Sequence, residues 1–473
     1  MATVRSAGDR TPSPVAADPI GRTAGTPTGE NAGAPVGRTA GSPTDATRPP
    51  ERAGDRIAAW VAPTAWVALV GAAVLAGAGT RADLGAHVHA APFVGTWQFR
   101  AGWAALPALA LAAAAVRYGP EIAARLRWRA LLAATAAATS AWAVALAWID
   151  ARAIGAPLAT RYEYLAAVPR VGSVAGFLRT FVAAVPTYPT HVKSHPPGMV
   201  LVLWAMDRLG LGGAGPAAVL VVVAGAMAGV AALVALRELA GEPVARRAAP
   251  FVALAPAAVF VATSPDALFA GISAWGIALV VLATGRRGRR AMAPAGAGGL
   301  LLVATVYLSY GLALLLVVPA AVCVRRRRAD VALVAASGVA AVAFAFAAAG
   351  FWWPAGLGAA HAAYVRGESS VRPYGYFLLA DLAVFAVLVG PAAAAGLARM
   401  RAHRAWLVVG AALVAVAVAD VTGLSKGEVE RIWLPFAPWV TLACCAVPGR
   451  TRPWLAANVG TGFALQLLLR SPW

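Results

Sequence analysis

The sequence predicts an all-α membrane protein, a polytopic transmembrane helical bundle of about 13 spans. Hydrophobic residues make up 60% of the 473 positions and charged residues only 13%, and the mean hydropathy is +0.70. A soluble chain of this length needs far more charge to cover its surface. Apolar runs also recur along nearly the whole chain, and about 20 such residues in a helix cross the hydrocarbon of a bilayer.

The first element is a polar N-terminal segment, residues 1–56. It is rich in Ala, Gly, Pro, Thr and Arg, and it contains the near-repeat GRTAGTPT at 21–28 and GRTAGSPT at 37–44. Such a composition offers almost no large apolar side chain to bury, so we expect a disordered cytoplasmic tail. The first apolar run starts only near Ile57, which is not the layout of a cleaved signal peptide.

The arginines between the apolar runs predict the orientation of the chain. They cluster in short segments at 117–129, 237–247, 286–290, 325–328, 399–404 and 450–452. The positive-inside rule places these loops in the cytoplasm, with the N-terminus inside and the C-terminus outside the cell membrane. It also accounts for the net charge of +20 without a nucleic-acid partner, because no basic face with interleaved aromatic residues is present.

On this orientation, two extra N-terminal transmembrane helices occupy residues 57–129, and the main transmembrane domain covers 130–473. After a helix at 130–149, residues 150–197 form a long first outer loop. The apolar piece at 198–209 that follows gives only about 18 Å of helix, too short to span a bilayer. We therefore expect a short interfacial helix that begins at the HPPG sequence, where the missing N–H of proline costs nothing.

The remaining apolar runs alternate in direction. The predicted order is a hairpin at 248–285 with the outer turn ATSPDALF, a tight hairpin at 291–324, an outward helix at 331–350, an outer loop at 351–375, a return at 376–397, an outward helix at 405–420, an outer loop at GLSKGEVER, a return at 433–447 and a last outward helix at 454–469. The polar outer loops therefore all lie on one side of the membrane.

Charged and histidine side chains collect in these outer loops. The chain has only two lysines among its 40 basic residues, Lys193 and Lys426, and both are there. Each residue has a simple structural explanation: a lone Glu163 can pair with a neighbouring arginine, Asp266 can cap a helix, and Lys426 can anchor to lipid headgroups. Taken together, an outer cluster of carboxylates, histidines and cations also fits a catalytic site.

Three motifs extend this interpretation: SHPPG at 194–198, SPDAL at 264–268 and ERIWLPFAP at 430–438. With the long first outer loop and the tight hairpin at 291–324, they resemble the GT-C superfamily of glycosyltransferases, in its protein O-mannosyltransferase and aminoarabinose-transferase branch. The resemblance covers roughly residues 130–450, and the chain is also similar to uncharacterised actinobacterial integral membrane proteins. We therefore expect 130–473 to be a GT-C-like catalytic domain.

The resemblance implies transfer of a sugar from a polyprenyl-phosphate donor to a lipid, glycan or protein acceptor on the extracytoplasmic face. The family's acidic residue in the first outer loop acts as base or orients the acceptor. The family's Asp-Glu pair is missing here, and the nearest carboxylates are Asp150 and Glu163, of which we favour Glu163 because flanking tyrosines suit a sugar. The candidates for binding the donor phosphate are Lys193, His195, Lys426, Arg431 and Arg372.

Some members of that family hold a divalent metal near the carboxylates. A metal or acceptor site here would involve Asp266, His191 and Glu430, with Glu163 and His195 as further candidates, since spacing does not give the ligand set. Two other functions remain open. One is a lipid or small-molecule transporter or flippase, and the other is a non-catalytic member of the family, which the missing Asp-Glu pair favours. Membrane lipids are partners in every case.

Overall fold

The computed structural model describes residues 53–80, 84–85, 88–262, 264–401 and 403–473. The tail predicted at 1–56 lies outside the described residues except for its last positions, which begin the first helix at Ala53. The described chain is mostly helical, and its named strands form one antiparallel two-residue ladder, β1 (Thr96–Trp97) with β2 (Leu469–Arg470). The all-α class is confirmed.

The helices follow one another with short connections. The α-helices are α1 Ala53–Gly79, α2 Leu106–Arg125, α3 Trp128–Trp148, α4 Val174–Ala184, α5 Thr190–Lys193, α6 Gly198–Arg208, α7 Ala214–Ala240, α8 Glu242–Ala253, α9 Asp266–Thr284, α10 Arg289–Leu308, α11 Val317–Arg325, α12 Ala329–Ala348, α13 Trp353–Val365, α14 Tyr374–Val389, α15 Pro391–Leu397, α16 Trp406–Val421, α17 Val429–Ile432, α18 Ala437–Thr441 and α19 Thr451–Leu468. Short 3₁₀ helices lie at Trp103–Ala105, Pro157–Ala159, Tyr164–Arg170, Val185–Thr187, Pro256–Phe260, Tyr310–Leu316, Glu368–Ser370 and Leu442–Ala446.

Six helices in the described part of the chain are long and apolar enough to cross a membrane. They are α1 from Ala59 onward, α3, α7, α9, α10 and α12. A seventh crossing results if α14 and α15, which are bent by 97° at their junction, count as one span. The predicted number of about 13 spans is not confirmed. After residue 400, the apolar helices Trp406–Val421 and Ala437–Ala446 are shorter, and the segment at 433–447 contains only α18 and the 3₁₀ helix that follows it.

Most of the arginine-rich loops meet at one end of the bundle. Arg246 of α8 donates to the carbonyl oxygen of Leu126 at 2.8 Å, and Arg326 after α11 lies 3.1 Å from a carboxylate oxygen of Glu238 in α7. We call this the arginine-rich end; it comprises the segments 125–129, 237–247, 285–290, 325–329 and 448–452. The predicted hairpin at 291–324 is present, because α10 starts from this end and α11 returns to it.

The opposite end, which we call the loop end, is where α3, α10 and α12 finish and α7 and α9 begin. The predicted long loop at 150–197 folds there into α4, α5 and short 3₁₀ helices, and α6 begins directly after the prolines of HPPG. A Cβ on Gly198 would collide with the backbone carbonyl of Tyr307, so glycine lets α6 start against the end of α10. The predicted outer loop at 351–375 likewise contains a helix, α13, whose alanines favour helix formation.

The two N-terminal helices pack on the rest of the described chain. Trp66 of α1 donates its indole N–H to the carbonyl oxygen of Ala386 in α14 at 2.7 Å, and Tyr376 of α14 donates to the carbonyl oxygen of Ala73 at 3.2 Å. α2 packs against α3, α8 and α19. These contacts join 57–129 to the main body along the length of the bundle.

Candidate functional site

Polar side chains from four segments meet inside the loop end. The segments are residues 163–164 of the long first outer loop, α5 with residues 194–195 after it, the start of α9, and α17 with residue 428 before it. We call this group the polar cluster, and its members are Glu163, Tyr164, His191, His195, Asp266, Glu428 and Arg431. All of them except Glu428 are buried.

Glu163 and His191 form one half of the cluster. His191 Nδ1 lies 2.7 Å from Glu163 Oε1, and the backbone N–H of His191 donates to the carbonyl oxygen of Tyr162 at 3.1 Å, which fixes α5 beside Glu163. This contact does not have the geometry of a hydrogen bond, so it is a close contact between the imidazole ring and the carboxylate. Glu163 does not pair with Arg161, which instead donates to the Tyr162 hydroxyl at 2.7 Å.

His195 and Tyr164 lie next to Glu163 and His191. His195 Nδ1 donates to the carbonyl oxygen of His191 at 2.8 Å, since a carbonyl can only accept, which leaves Nε2 as an acceptor in the neutral ring. Burial lowers the pKa of His195 to about 4, so this histidine is neutral at pH 7. Burial raises the pKa of Tyr164 well above its usual value, and the charges of Asp266 and Glu163 add to this, so its phenol keeps its proton.

Arg431 forms the other half of the cluster. Its guanidinium lies 2.9 Å from Asp266 Oδ2 and 2.9 Å from Glu428 Oε2, and it covers the indole ring of Trp473 at 4.9 Å. Ser264 donates to the same Asp266 oxygen at 2.7 Å. Burial lowers the pKa of Arg431, but the nearby carboxylates outweigh burial and raise it overall. The arginine is therefore permanently charged and already neutralised by two carboxylates.

The backbone before α17 is strained where it enters the cluster. Glu428 has φ of 63°, the left-handed region that a non-glycine residue seldom adopts, and Gly427 before it has φ of 83°. The N–H of Gly427 donates to Asp381 Oδ1 at 3.1 Å, which holds this turn against α14. Strain of this kind persists only where the surroundings enforce it, and it is common at binding and catalytic sites.

Several buried polar atoms of the cluster have no hydrogen-bond partner among the described residues. They are Glu163 Oε2, the Tyr164 hydroxyl, His191 Nδ1 and Arg431 Nε, and Trp473 Nε1, beside Arg431, also has no partner. Buried polar groups are nearly always paired, and an unpaired one costs about 1–3 kcal/mol. A concentration of such atoms around one carboxylate and one arginine is typical of a site that receives a polar ligand.

Asp150, the second predicted catalytic carboxylate, belongs to a different group. It forms ion pairs with Arg100 and with Arg152, the latter at 2.8 Å, and it accepts from Gln466 at 3.2 Å. These contacts tie the end of α3 to α19 and to the segment before α2. With its oxygens already bound, Asp150 has a structural role in this arrangement, and the contacts do not bring it to Glu163.

The predicted phosphate-binding residues are divided between three positions. Lys426 Nζ donates to the carbonyl oxygens of Ser370 and Arg372, at 2.5 and 3.0 Å, and Arg372 donates back to the carbonyl oxygen of Lys426 at 2.5 Å. Lys426 and Arg372 therefore connect the loop before α14 to the loop before α17 by hydrogen bonds. His195 and Arg431 lie in the cluster, as described above. Lys193, at the end of α5, is half-buried and has no side-chain partner in the part of the chain that the structure describes.

Glu430 points away from Arg431, although both are on α17. Its Oε1 accepts from the backbone N–H of Val94 at 3.1 Å, its side chain is fully buried, and its Oε2 has no partner among the described residues. Burial raises the pKa of Glu430 to about 7, and the neighbouring Glu428 adds to this. Glu430 therefore fixes the segment around Val94 onto α17.

Three residues predicted for a metal or acceptor site have other partners in this structure. Within residues 53–473, apart from the few positions not described, no group of three or more His, Cys, Asp or Glu side chains could hold a metal ion. Asp266 is occupied by Arg431 and Ser264, His191 faces Glu163, and Glu430 is bound to the backbone of another segment.

Two cavities of the described chain lie away from the polar cluster. A small apolar cavity lies deeper in the bundle, between α7, the 3₁₀ helix at Pro256–Phe260 and α18, and it includes Ala270, one turn into α9 from Asp266. A larger cleft of about 760 Å³ lies at the arginine-rich end. This cleft and the polar cluster are therefore at opposite ends of the bundle.

The structure thus brings together five of the predicted residues: Glu163, His191, His195, Asp266 and Arg431. Sequence reasoning did not select Tyr164, Glu428 or Trp473. Tyr164 was noted only as a neighbour of Glu163, and Glu428 lies in the GEVER stretch whose other charges were selected. No pattern in the sequence indicates that Trp473 covers Arg431, because that contact depends on how β2 pairs with β1.

The fold and the cluster define a class: an all-helical chain with apolar helices able to cross a membrane and a buried carboxylate–histidine–arginine group at one end. In comparisons with known proteins, no family model, no curated protein and no solved structure matches the chain. The resemblance to GT-C glycosyltransferases therefore rests on its three motifs and on the order in which they occur.

Proposed function

We propose that this protein is a membrane glycosyltransferase that moves a sugar from a polyprenyl-phosphate donor to an acceptor on the extracytoplasmic face. The observation that carries the proposal is the state of Glu163. One of its oxygens lies beside His191, and the other is buried without a partner among the described residues. A general base needs a fixed carboxylate with one oxygen free for the proton that it removes.

The proposed reaction uses Glu163 as that base. The acceptor hydroxyl gives its proton to Glu163 Oε2 while its oxygen bonds to the anomeric carbon of the sugar. The bond between that carbon and the phosphate oxygen breaks, and polyprenyl phosphate leaves with the electron pair. His191, against Oε1, holds the carboxylate in place, and the Tyr164 hydroxyl, which stays protonated, is a donor for a sugar oxygen.

Lys193 is the cation we assign to the donor phosphate. The guanidinium of Arg431 is already balanced by Asp266 and Glu428, and Lys426 is engaged by backbone carbonyls. A phosphate needs a cation whose charge is not already compensated. Lys193 lies two residues after His191 on α5 and has no partner in the described chain.

The proposal includes the topology predicted from the loops, with about 13 crossings of the cell membrane, some made by short or broken helices. The arginine-rich end then faces the cytoplasm and the polar cluster faces outward. Single cysteines at Arg366, on the loop end, and at Arg287, on the arginine-rich end, test this, because the three native cysteines are buried. Only the first should react with a membrane-impermeant maleimide in intact cells; the reverse labelling would contradict the orientation.

Activity is tested by incubating the purified protein with a panel of polyprenyl-phosphate sugars and measuring the release of polyprenyl phosphate. The Glu163→Gln variant should lose about 10²–10⁴-fold in rate, the contribution expected of a positioned base. Glu368→Gln is the matched control, since Glu368 is an exposed carboxylate at the same end of the bundle. Equal rates in the wild type and in Glu163→Gln would exclude this glutamate as the base, and no release from any donor would favour the non-catalytic alternative.

A transporter is the second candidate, and one observation favours it. The junction of α14 and α15 is bent by 97°, and Asp381, in the middle of α14, is buried. Transporters place broken helices and buried carboxylates around their substrate sites. In proteoliposomes, substrate flux that is abolished by Asp381→Asn, with no polyprenyl phosphate released, would support a transporter over a transferase.

A further inference from the structure

One stripe of α2 faces two open spaces in succession. Leu109, Ala113, Val116, Pro120 and Ala124 recur at helical spacing along this helix and therefore share a face. The first half of the stripe borders a groove against α19, and the second half borders the cleft against α8. The two spaces therefore lie end to end along α2 and run to the arginine-rich end.

The groove between α2 and α19 is apolar over its length and charged at its end. It has a volume of about 390 Å³, and α19 contributes Val459, Gly460 and Phe463 to its wall. From Leu109 to Arg117, α2 rises about 12 Å, close to the hydrocarbon depth of one leaflet. The groove ends at Arg117 and Arg452.

The cleft that continues the groove has a mostly apolar wall that carries two arginines and one glutamate. It has a volume of about 760 Å³ and is lined by Glu242, Arg246, Arg247 and Thr451, among others. Glu242 is balanced by Arg246 at 2.6 Å, whereas Arg247 is exposed and has no acidic partner among the described residues. An uncompensated arginine therefore faces the space beyond the end of the groove.

Two further groups at this junction suit an anion. Arg117 has no carboxylate partner within the described ranges, and its guanidinium lies over the ring of Tyr118 at 5.0 Å. α19 begins at Thr451, and its N-cap residue Arg450 makes no side-chain capping hydrogen bond. The first N–H groups of this helix are therefore open to an anion at the positive end of the helix dipole.

We propose that these two spaces form a binding site for an anionic phospholipid of the leaflet at the arginine-rich end. An acyl chain lies in the groove between α2 and α19. The headgroup phosphate lies at the entrance of the cleft, near Arg117, Arg247 and the start of α19. The combination of a groove one leaflet deep with uncompensated arginines at its mouth matches an anionic lipid and not a neutral one.

Native mass spectrometry of the full chain in detergent tests the site. We expect one phosphatidylglycerol molecule to bind more tightly than phosphatidylcholine with the same acyl chains. Arg247→Gln should weaken phosphatidylglycerol binding about fivefold, the effect of one basic residue near an anionic lipid, and leave phosphatidylcholine unchanged. Arg290→Gln is the matched control, an exposed arginine at the same end but outside the cleft, and it should change neither.

A second variant separates the groove from the headgroup site. Gly460→Leu extends a side chain into the groove from a position where no atom lies within 4 Å of an added Cβ. It should weaken both lipids, and glycerol phosphate, which lacks acyl chains, should not displace phosphatidylglycerol. Equal binding of the two lipids by the wild type, equal losses in Arg247→Gln and Arg290→Gln, or an unaffected Gly460→Leu would each overturn the proposal.

Discussion

Arg431 and Asp266 are separated by 165 residues and form a buried ion pair, with 2.9 Å between Nη1 and Oδ2. The pair joins the start of α9 to α17, and so it joins two of the three motifs on which the functional interpretation depends. Glu428 on the other side of the guanidinium completes its neutralisation. The centre of the cluster is therefore a fixed electrostatic unit, and Glu163 lies beside it as the carboxylate with an oxygen to spare.

Removing one charge of this unit should destabilise the protein. In Asp266→Asn, Arg431 keeps only Glu428, and loss of one partner of a buried ion pair costs about 3 kcal/mol or more. We expect a clearly lower midpoint of unfolding in detergent. Asp330→Asn is the control: Asp330 pairs with Arg328 at 2.7 Å but is half exposed, so its loss should cost much less. Equal losses of stability in the two variants would show that the buried pair contributes no more than the exposed one.

Glu430 should make the stability of the protein depend on pH in one direction. Its pKa is raised to about 7 in the fold from an ordinary value of 4.5, so the folded state holds this proton more tightly than the unfolded state does. The stabilisation is complete below pH 4.5 and is lost as the pH rises through 7, by about 3 kcal/mol in all.

The Glu430→Gln variant isolates this effect, because glutamine resembles the protonated acid. It should be more stable than the wild type at pH 8 and similar to it near pH 4.5, as measured by denaturant unfolding across that range. Glu368→Gln, at an exposed carboxylate, should follow the wild type at every pH. A constant difference between Glu430→Gln and the wild type would show that Glu430 does not titrate in this window.

His195 should act in the opposite direction. Burial lowers its pKa from an ordinary value of 6.5 to about 4. Between these pH values the unfolded state binds a proton that the folded state does not bind. Stability is therefore complete above pH 6.5 and falls as the pH drops toward 4, by up to about 1.4 kcal/mol per pH unit. His195→Phe should flatten this acid limb, and a change at the exposed His361 should not. An unchanged acid limb in His195→Phe would assign the titration to another group.

The grouping of the site was accessible from the sequence because its motifs occur where helices begin. HPPG precedes α6 and SPDAL starts α9, and helices that begin at the same end of a bundle bring their first residues to one level. The placement of His195, Asp266 and Arg431 at the loop end follows from this. The alternation of apolar runs likewise predicted the hairpin of α10 and α11.

The sequence did not indicate which side chains would pair with each other within the site. Whether a carboxylate is free depends on which cation reaches it, and Asp150 is occupied by Arg100 and Gln466, which come from distant segments. The number of crossings is not confirmed for a related reason. Breaks such as the one between α14 and α15 are set by packing against neighbouring helices, and a sum of apolar residues does not register them.

Substitution of Lys426 distinguishes a structural role of this lysine from a role in donor binding. Its ammonium bridges the carbonyl oxygens of Ser370 and Arg372, so Lys426→Ala should release the loop before α14. Each lost hydrogen bond to a charged group is worth about 1.5–3 kcal/mol, and amide exchange should accelerate in residues 366–373. Lys193→Ala is the comparison, since Lys193 has no such bonds in the described chain. It should leave exchange unchanged and raise the apparent KM for the polyprenyl-phosphate donor. If Lys426→Ala raised that KM with unchanged exchange, Lys426 and not Lys193 would be the phosphate ligand.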